Sequence, residues 1–338
     1  MQYLCRNFLY DMKILGIGNA LIDVLAKLEN DTLLSELNMP KGSMNLIDVH
    51  TRNHIFGKIK DKHVKITTGG SIGNTCLALA HLGVPVGFTG KVGDDDYGKY
   101  YVREFENAGV SPHFIHVPGN PSGTAMDLIT PDGQRTFGTY LGIAAEMQKS
   151  ELSAEILHQY THFYVEGYLV QNHELIEGAL SLAKTMGLTT ALDLASYNIV
   201  EAEREFLQRL VDRYVDIVFA NEEEAQALTG KPAKEAVEEL GNKVEIAVVK
   251  TGGKGSWIKA NNETIYVPVE EIAPLDTTAA GDYYAAGFFY GLEKKKSLQQ
   301  CAELGSLLAF EVIQVIGTKL PPETWDKIRA KAQEIIAG

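Results

Sequence analysis

Asp282 closes the run Asp276-Thr-Thr-Ala-Ala-Gly-Asp282 inside the stretch 274–292, PLDTTAAGDYYAAGFFYGL. Pro274 breaks regular structure, small residues precede Asp282, and Ala286, Phe289 and Tyr290 follow at spacings of three and four. The pattern predicts a tight loop that opens a buried helix. A helix start carries unpaired N–H groups and the positive end of the macrodipole. Small residues let an anion approach those groups. A carboxylate would repel a phosphate that is merely bound there. It makes chemical sense if it takes a proton while the amides hold a phosphoryl group in transfer. The same residues also fit an Asp in the first turn of an ordinary core helix, and this stretch alone balances the two readings.

Other candidates sit where strands give way to loops. A strand over 13–18 runs into Asn19 and Asp23, at the C-terminal end of a first strand, where open α/β sheets bind ligands. Gly16 and Gly18 begin a dinucleotide fingerprint, but Leu21 stands at its third glycine, so that motif is incomplete. A turn-forming Asn19 and a solvated Asp23 fit these residues as well. In TTGGSIGN, Gly69, Gly70 and Gly73 precede a helix expected over 75–82, with Asn74 at its start. Three glycines in five residues weaken a helix start, which favours a backbone that must approach a ligand. Asp94, Asp95 and Asp96 precede a helix carrying Tyr97, Tyr101 and Phe105 on one face, and are read as serving its N-terminus. Arg135, at a hairpin, is either solvated or an anion clamp.

These residues need a scaffold. From Ser150 onward apolar strands alternate with long helices: strand HFYVEG, helix 172–186, strand LTTALDL, helix 198–212, strand DIVFA, helix 232–240 and strand VEIAVVK. Such alternation predicts a parallel sheet covered by helices on both faces. KTGGKGSWI and ETIYVPV read as a neighbouring strand pair, and two helices over 297–316 and 322–337 close the chain. A strand over 62–67 leads into the glycine-rich turn, and short helices are expected over 31–39 and 51–60. Residues 113–142 differ: HFIHV, GTAMDLIT and QRTFGTYLG are short strands with no helix between them. With 22–28 and 43–48 they are expected to form a small antiparallel sheet, a natural lid.

Composition narrows the class. The 338 residues are 45% hydrophobic and 22% charged, with a net charge of −13. That is globular, and the acidic balance argues against nucleic-acid binding. No apolar run reaches membrane-spanning length, and residues 1–11 lack a signal-peptide pattern and are read as a tail. Cys5, Cys76 and Cys301 form no CxxC pair or Cys/His cluster. Neither a disulfide framework nor a zinc site is expected, which fits a cytoplasmic location.

The order of the motifs resembles the ribokinase-like, or PfkB, carbohydrate and nucleoside kinases over nearly the whole chain from Met12. The motifs are TTGGSIGNTCLALAHLG, VGDDDYGKYYVREFENAGV, NEEEA in the place of N-x-x-E, KTGGKGS, and DTTAAGD in the place of D-T-x-G-A-G-D. The resemblance implies a three-layer α/β/α fold over 12–338, with a mostly parallel central sheet and a small antiparallel β lid from about 22–48 and 113–142. It implies an ATP- and magnesium-dependent phosphotransferase acting on a small molecule, and leaves open a monovalent-cation requirement and a monomer or a homodimer through the lid. Asp282 is similar to the family's general base, and the amides of Ala280, Gly281 and Asp282 to its anion hole. Asn221 and Glu224 match the pair organising magnesium and its waters. Thr251, Gly253 and Gly255 match the ATP-side loop. Asn19, Asp23, Gly69, Gly70 and Asn74 fall in the segments that bind the acceptor's hydroxyls. Ala279 replaces the usual first glycine of G-A-G-D, which is harmless at negative φ and straining at positive φ.

GNALID, GGSIGN, QRTFGTYLGIAAEM and EGYLV resemble the adenosine kinase branch most. On that likeness Tyr168 stacks on a purine, Leu21 and Leu141 line its slot, and Arg135 closes over the phosphates. A nucleoside phosphorylated at its 5′-hydroxyl is the expected acceptor. A fructokinase- or ribokinase-like sugar kinase is the alternative, and an inactive ligand-binding protein on the same fold, motivated by Ala279, is the third.

Overall fold

Two sheets organise the chain, and a cavity lies between them. The computed structural model describes residues 11–60, 64–132 and 134–338. The expected tail over 1–11, apart from Asp11, and the start of the strand expected over 62–67 lie outside the described residues.

The strands are β1 (Ile14–Ile17), β2 (Leu21–Lys27), β3 (Met44–Leu46), β4 (Val64–Gly69), β5 (Val86–Gly93), β6 (Ser111–Val117), β7 (Gly123–Ile129), β8 (Arg135–Tyr140), β9 (His162–Glu166), β10 (Thr189–Asp193), β11 (Ile217–Asn221), β12 (Ile246–Lys250), β13 (Gly255–Ala260) and β14 (Glu263–Pro268). The large sheet runs β14-β13-β12-β11-β10-β9-β1-β5-β6. It is parallel from β6 to β12 and ends in the antiparallel hairpin β13–β14. Successive residues on a strand face opposite ways, so Ile14 joins one apolar layer with Phe88, Tyr164 and Phe219, while Leu15 joins the other with Phe163, Leu192 and Val218. Helices cover both layers, as the near-continuous apolar strands require. The helix Ala280–Glu293 is buried from Tyr283 through Leu292, which explains why its sequence is apolar all round.

The small sheet runs β3-β8-β7-β2-β4. It contains the antiparallel pairs β2–β4 and β7–β8, and also the parallel pairs β2–β7 and β3–β8. One face packs Ile22, Val24, Met126 and Leu128 into the core with Ile55 and Ile59 of the helix Val49–Ile59. The other turns Leu21, Asp23, Met44, Leu46, Ala125 and Phe137 toward the cavity.

Two segments depart from expectation. The stretch 113–117, expected in the small sheet, belongs to β6 and pairs parallel with β5 at the edge of the large one. The helix Asp96–Ala108 between β5 and β6 makes the crossover that a parallel pair needs, whereas the sequence groups 113–117 with the helix-free strands after it. Conversely, β4 joins the small sheet, with Thr67 opposite Asp23. The helix expected over 75–82 begins earlier, as Ser71–His81. Gly70 is its N-cap at φ +87, where a Cβ would also collide with the Asn19 carbonyl.

The acidic run does serve a helix N-terminus, and it also pins a connection between the sheets. Asp95 caps the helix Asp96–Ala108 through Gly98 N at 2.8 Å. Its carboxylate also accepts Ser122 N at 2.8 Å and Ser122 Oγ at 2.6 Å, just before β7. Asp95→Ala removes the cap and the tether together and is expected to cost about 2 kcal/mol in urea unfolding. A loss below about 0.5 kcal/mol would show that the tether carries no load.

Candidate active site

The cavity has a volume of about 970 Å³ and lies at the C-terminal ends of β1 and β9–β12, under the small sheet. The sequence-derived residues that line it are Asn19, Leu21, Asp23, Gly70, Asn74, Leu141 and Tyr168 on one side, and Asn221, Glu224, Gly253, Gly255 and Ala279 to Asp282 on the other. Gly69, Thr251 and Arg135 do not line it. Gly69 lies behind Asp23, where a Cβ would collide with the carboxylate. Thr251 is buried and shapes the loop, its Oγ1 donating to the Gly255 carbonyl at 2.9 Å.

Two helix N-termini meet at Asp282. Ser71 and Asn74, three apart on the first turn of Ser71–His81, share a face. Ser71 Oγ donates to Asp282 Oδ1 at 2.7 Å and Asn74 Nδ2 to Oδ2 at 2.9 Å. Burial pushes the Asp282 carboxyl up to about 6, although both hydrogen bonds favour its charged form. Asp282 is therefore firmly placed and titrates near neutrality. Ala280 N donates to the Thr277 carbonyl at 3.2 Å. This corrects the expected three-amide anion hole: the first-turn amides left for an anion are those of Gly281 and Asp282.

Ala279 is the N-cap of this helix and sits at φ +63, ψ 8. The position therefore needs the left-handed conformation that a glycine takes without steric cost and an alanine does not.

Around the small sheet, burial raises Asp23 to about 7, with Arg135 pulling the other way. Asn19 Nδ2 donates to Glu166 Oε1 at 2.9 Å, and Ile72 N donates to Oε2 at 3.4 Å. Burial also raises Glu166 to about 7. Toward β11, Asn221 and Glu224 form a capping box on the helix Glu222–Thr229. Asn221 N and Nδ2 donate to the Glu224 carboxylate at 2.8 and 2.7 Å, and Glu224 N donates back to Asn221 Oδ1 at 2.8 Å. The N-x-x-E pair thus has a structural task of its own. Glu224 is raised to about 7, first by burial and then by Asp193.

Arg135 is not open to an anion in the way expected. Its guanidinium pairs with Asp127 on β7 and with Asp276 in the loop before the Asp282 helix, and Nη1 donates to Thr278 Oγ1 at 3.1 Å. Asp127 and Asp276 have side chains only 1% and 4% exposed, so each needs a countercharge, and the arginine is committed to both. It fastens the small sheet to the Asp282 loop.

Sequence reasoning passed over Glu166, Asp193 and Lys250, which all line the cavity. Each is the last residue of a parallel strand, β9, β10 and β12. A charged residue ending an apolar strand was the available signal. Ser71, Phe137 and Gln171 were missed as well.

Residues 37–325 match the model of the pfkB family carbohydrate kinases. The adenosine kinase of Schizophyllum commune is 26% identical over 94% of this chain and 98% of its own length. Among solved structures, the adenosine kinase of Sinorhizobium meliloti superposes with a TM-score of 0.85 at 32% identity, over 96% of this chain and 99% of the other. A probable sugar kinase of Rhizobium etli CFN 42 gives a TM-score of 0.85 at 30% identity, over 96% and 98%. These likenesses agree with the three-layer architecture and the small sheet.

Two substitutions test the loop. Arg135→Ala strands two buried carboxylates and is expected to destabilise the protein by about 3 kcal/mol in urea unfolding, with Arg135→Ala/Asp127→Ala less damaging than the sum of the single changes. Ala279→Gly relieves the left-handed strain and is expected to stabilise by up to about 1 kcal/mol, net of the added freedom of the unfolded chain. A stability loss from it would mean that the strain is absent.

Proposed function

The chain belongs to the pfkB family of carbohydrate kinases, and on that premise we propose that it transfers the γ-phosphoryl group of ATP to the primary 5′-hydroxyl of an uncharged nucleoside, adenosine or a related purine nucleoside. One observation carries this reading. The acceptor half of the cavity holds the carboxylates Asp23, Glu166 and Asp282, and among the described residues the one basic side chain lining the cavity is Lys250, on the β12 side. A sugar phosphate or sugar acid would meet three carboxylates there, with Lys250 the one basic side chain among the described lining residues. Beyond the polar group around Asn19, Asp23 and Asn74 the walls turn apolar, with Leu21, Met44, Leu46, Phe137, Leu141 and Tyr168. A polar ring joined to a flat apolar one suits that division, and Tyr168 and Phe137 are its aromatic walls.

In this reading Asp23 and Asn74 bind acceptor hydroxyls, and Asp282 takes the proton of the attacking hydroxyl. The amides of Gly281 and Asp282 hold the phosphoryl group at the helix N-terminus. Thr251, Gly253 and Gly255 shape the nucleotide side, where Val269, Ala309, Phe310 and Ile313 add an apolar wall. Magnesium held through phosphates and water needs only one or two carboxylates. Glu224 fits that requirement, and the ion would supply charge neutralisation on the phosphates. Catalysis here is mostly placement and charge stabilisation.

With Mg-ATP and a panel of adenosine, inosine, ribose and fructose, a purine nucleoside is expected to give the highest kcat/KM. A tenfold preference for ribose or fructose would replace this reading with a sugar kinase, and no turnover of any acceptor would favour a binding protein. Asp282→Asn is expected to lower kcat by on the order of a hundredfold or more while nucleoside binding persists. Because the Asp282 carboxyl is raised to about 6, the working carboxylate is lost as pH falls. The wild-type kcat/KM should be flat above that value and drop about tenfold per pH unit below it. A profile flat down to pH 4 would remove Asp282 as the base.

A further inference from the structure

Lys250 ends β12 and opens the KTGGKGS motif, where no role was assigned to it above, and it lines the cavity. A Cβ built on Gly281 would lie 3.0 Å from Lys250 Nζ. The ammonium therefore stands directly over the first turn whose amides face the phosphoryl site. It pairs with Asp193, at 3.3 Å from Nζ to Oδ2, and Asp193 Oδ2 also accepts from the Tyr164 hydroxyl at 3.3 Å. An ammonium has three N–H donors, so one long contact to Asp193 leaves others for a ligand.

We propose that Lys250 contacts the phosphoryl group in flight and stabilises the charge that develops on it, with Asp193 acting as the positioning residue for the ammonium. This rests on the reading of Asp282 as the base. In the step, the acceptor oxygen forms a bond to the γ-phosphorus as the bond from that phosphorus to the β,γ-bridging oxygen breaks. The bridging oxygen keeps the electron pair and leaves on the nucleoside diphosphate. The acceptor's hydroxyl proton passes to Asp282. Negative charge spreads over the three peripheral oxygens and the leaving oxygen, and a fixed cation at Gly281 meets it without rearranging.

The electrostatics of the cluster support this. Asp193, Glu224 and Asp282 surround the place where a polyanion must sit, and Lys250 is their shared cation. Burial alone would drive the amine toward its neutral form, but Asp193, Glu224 and Asp282 together hold its pKa above the ordinary lysine value. A purely structural ammonium, there only to neutralise Asp193 and Glu224, is the competing account, and it makes no special contact with the transferred group.

The test separates these accounts. Lys250→Met keeps the length and removes the charge. It is expected to lower kcat by about a hundred- to a thousandfold, with the acceptor KM within about threefold of wild type. Equilibrium binding gives a second readout: fluoroaluminate should tighten ADP binding to the wild type in the presence of adenosine, because it mimics the transferring group. Lys250→Met should lose that tightening while binding ADP alone normally. Lys250→Arg, which keeps the pairing with Asp193, should recover part of both and serves if the methionine variant does not fold. A kcat within threefold of wild type, or equal losses for ADP with and without fluoroaluminate, would overturn the proposal. Asp282→Asn runs in parallel. If it stays active, the reading of the site itself falls; if it is inactive while Lys250→Met is normal, only the role of Lys250 falls.

Discussion

One buried carboxylate joins the two halves of this molecule. Asp282 lies in the first turn of the helix beside which the phosphoryl site is proposed, and its oxygens are held by Ser71 and Asn74 from the first turn of another helix. That second helix follows directly from β4 of the small sheet. Burial favours a neutral carboxyl, whereas the two donors favour the charged one. The outcome is a group that titrates close to neutrality and points in one direction. Neither property would survive alone: without burial the group would be too weak a base, and without the donors it would not be aimed.

The same economy holds across the cavity. Glu166, Asp193, Glu224 and Asp282 approach it from strand ends or helix starts, where the backbone leaves the regular ladder and side chains converge, and Asp23 faces it from within β2. So many acids are tolerable because Glu166, Asp193, Glu224 and Asp282 each have a hydrogen-bond donor or a cation, because Asp23 feels the charge of Arg135, and because the two apolar layers beneath the sheet supply the stability that such a site withholds. Ala279 is a visible local cost of that arrangement: a left-handed alanine at the head of the functional helix.

Much of this was legible in the sequence. The alternation after Ser150 is a direct consequence of burying a parallel sheet on both faces, and it read correctly. The place of Asp282 in the first turn of a buried helix was legible because Pro274, the small residues and the apolar spacing after it mark a helix start. The placement of 113–117 was not, because a five-residue strand carries no mark of its partner, and the choice between sheets depended on the helix before it and not on its own residues. Lys250, Asp193 and Glu166 were passed over for a related reason. A charge at the end of an apolar strand looks like a solvated boundary until parallel registry brings several such ends together. Arg135 read as an anion clamp because Asp276 is distant in sequence and Asp127 meets it only once β7 and β8 pair. The sign of φ at Ala279 could not be read at all, since alanine is compatible with either.

The Arg135 cluster has a consequence for how the cavity responds to its medium. Asp31 and Asp132, which pair with Lys41 at the outer end of the small sheet, are about half exposed, and dissolved ions screen such contacts within a Debye length of about 8 Å at physiological ionic strength. Asp127 and Asp276 are buried and Arg135 is largely so, and counterions screen such pairs much less. The outer pairs therefore weaken in brine while the inner grip on the Asp282 loop stays constant. The roof of the cavity keeps its registry with the floor across changes in salinity that loosen its rim.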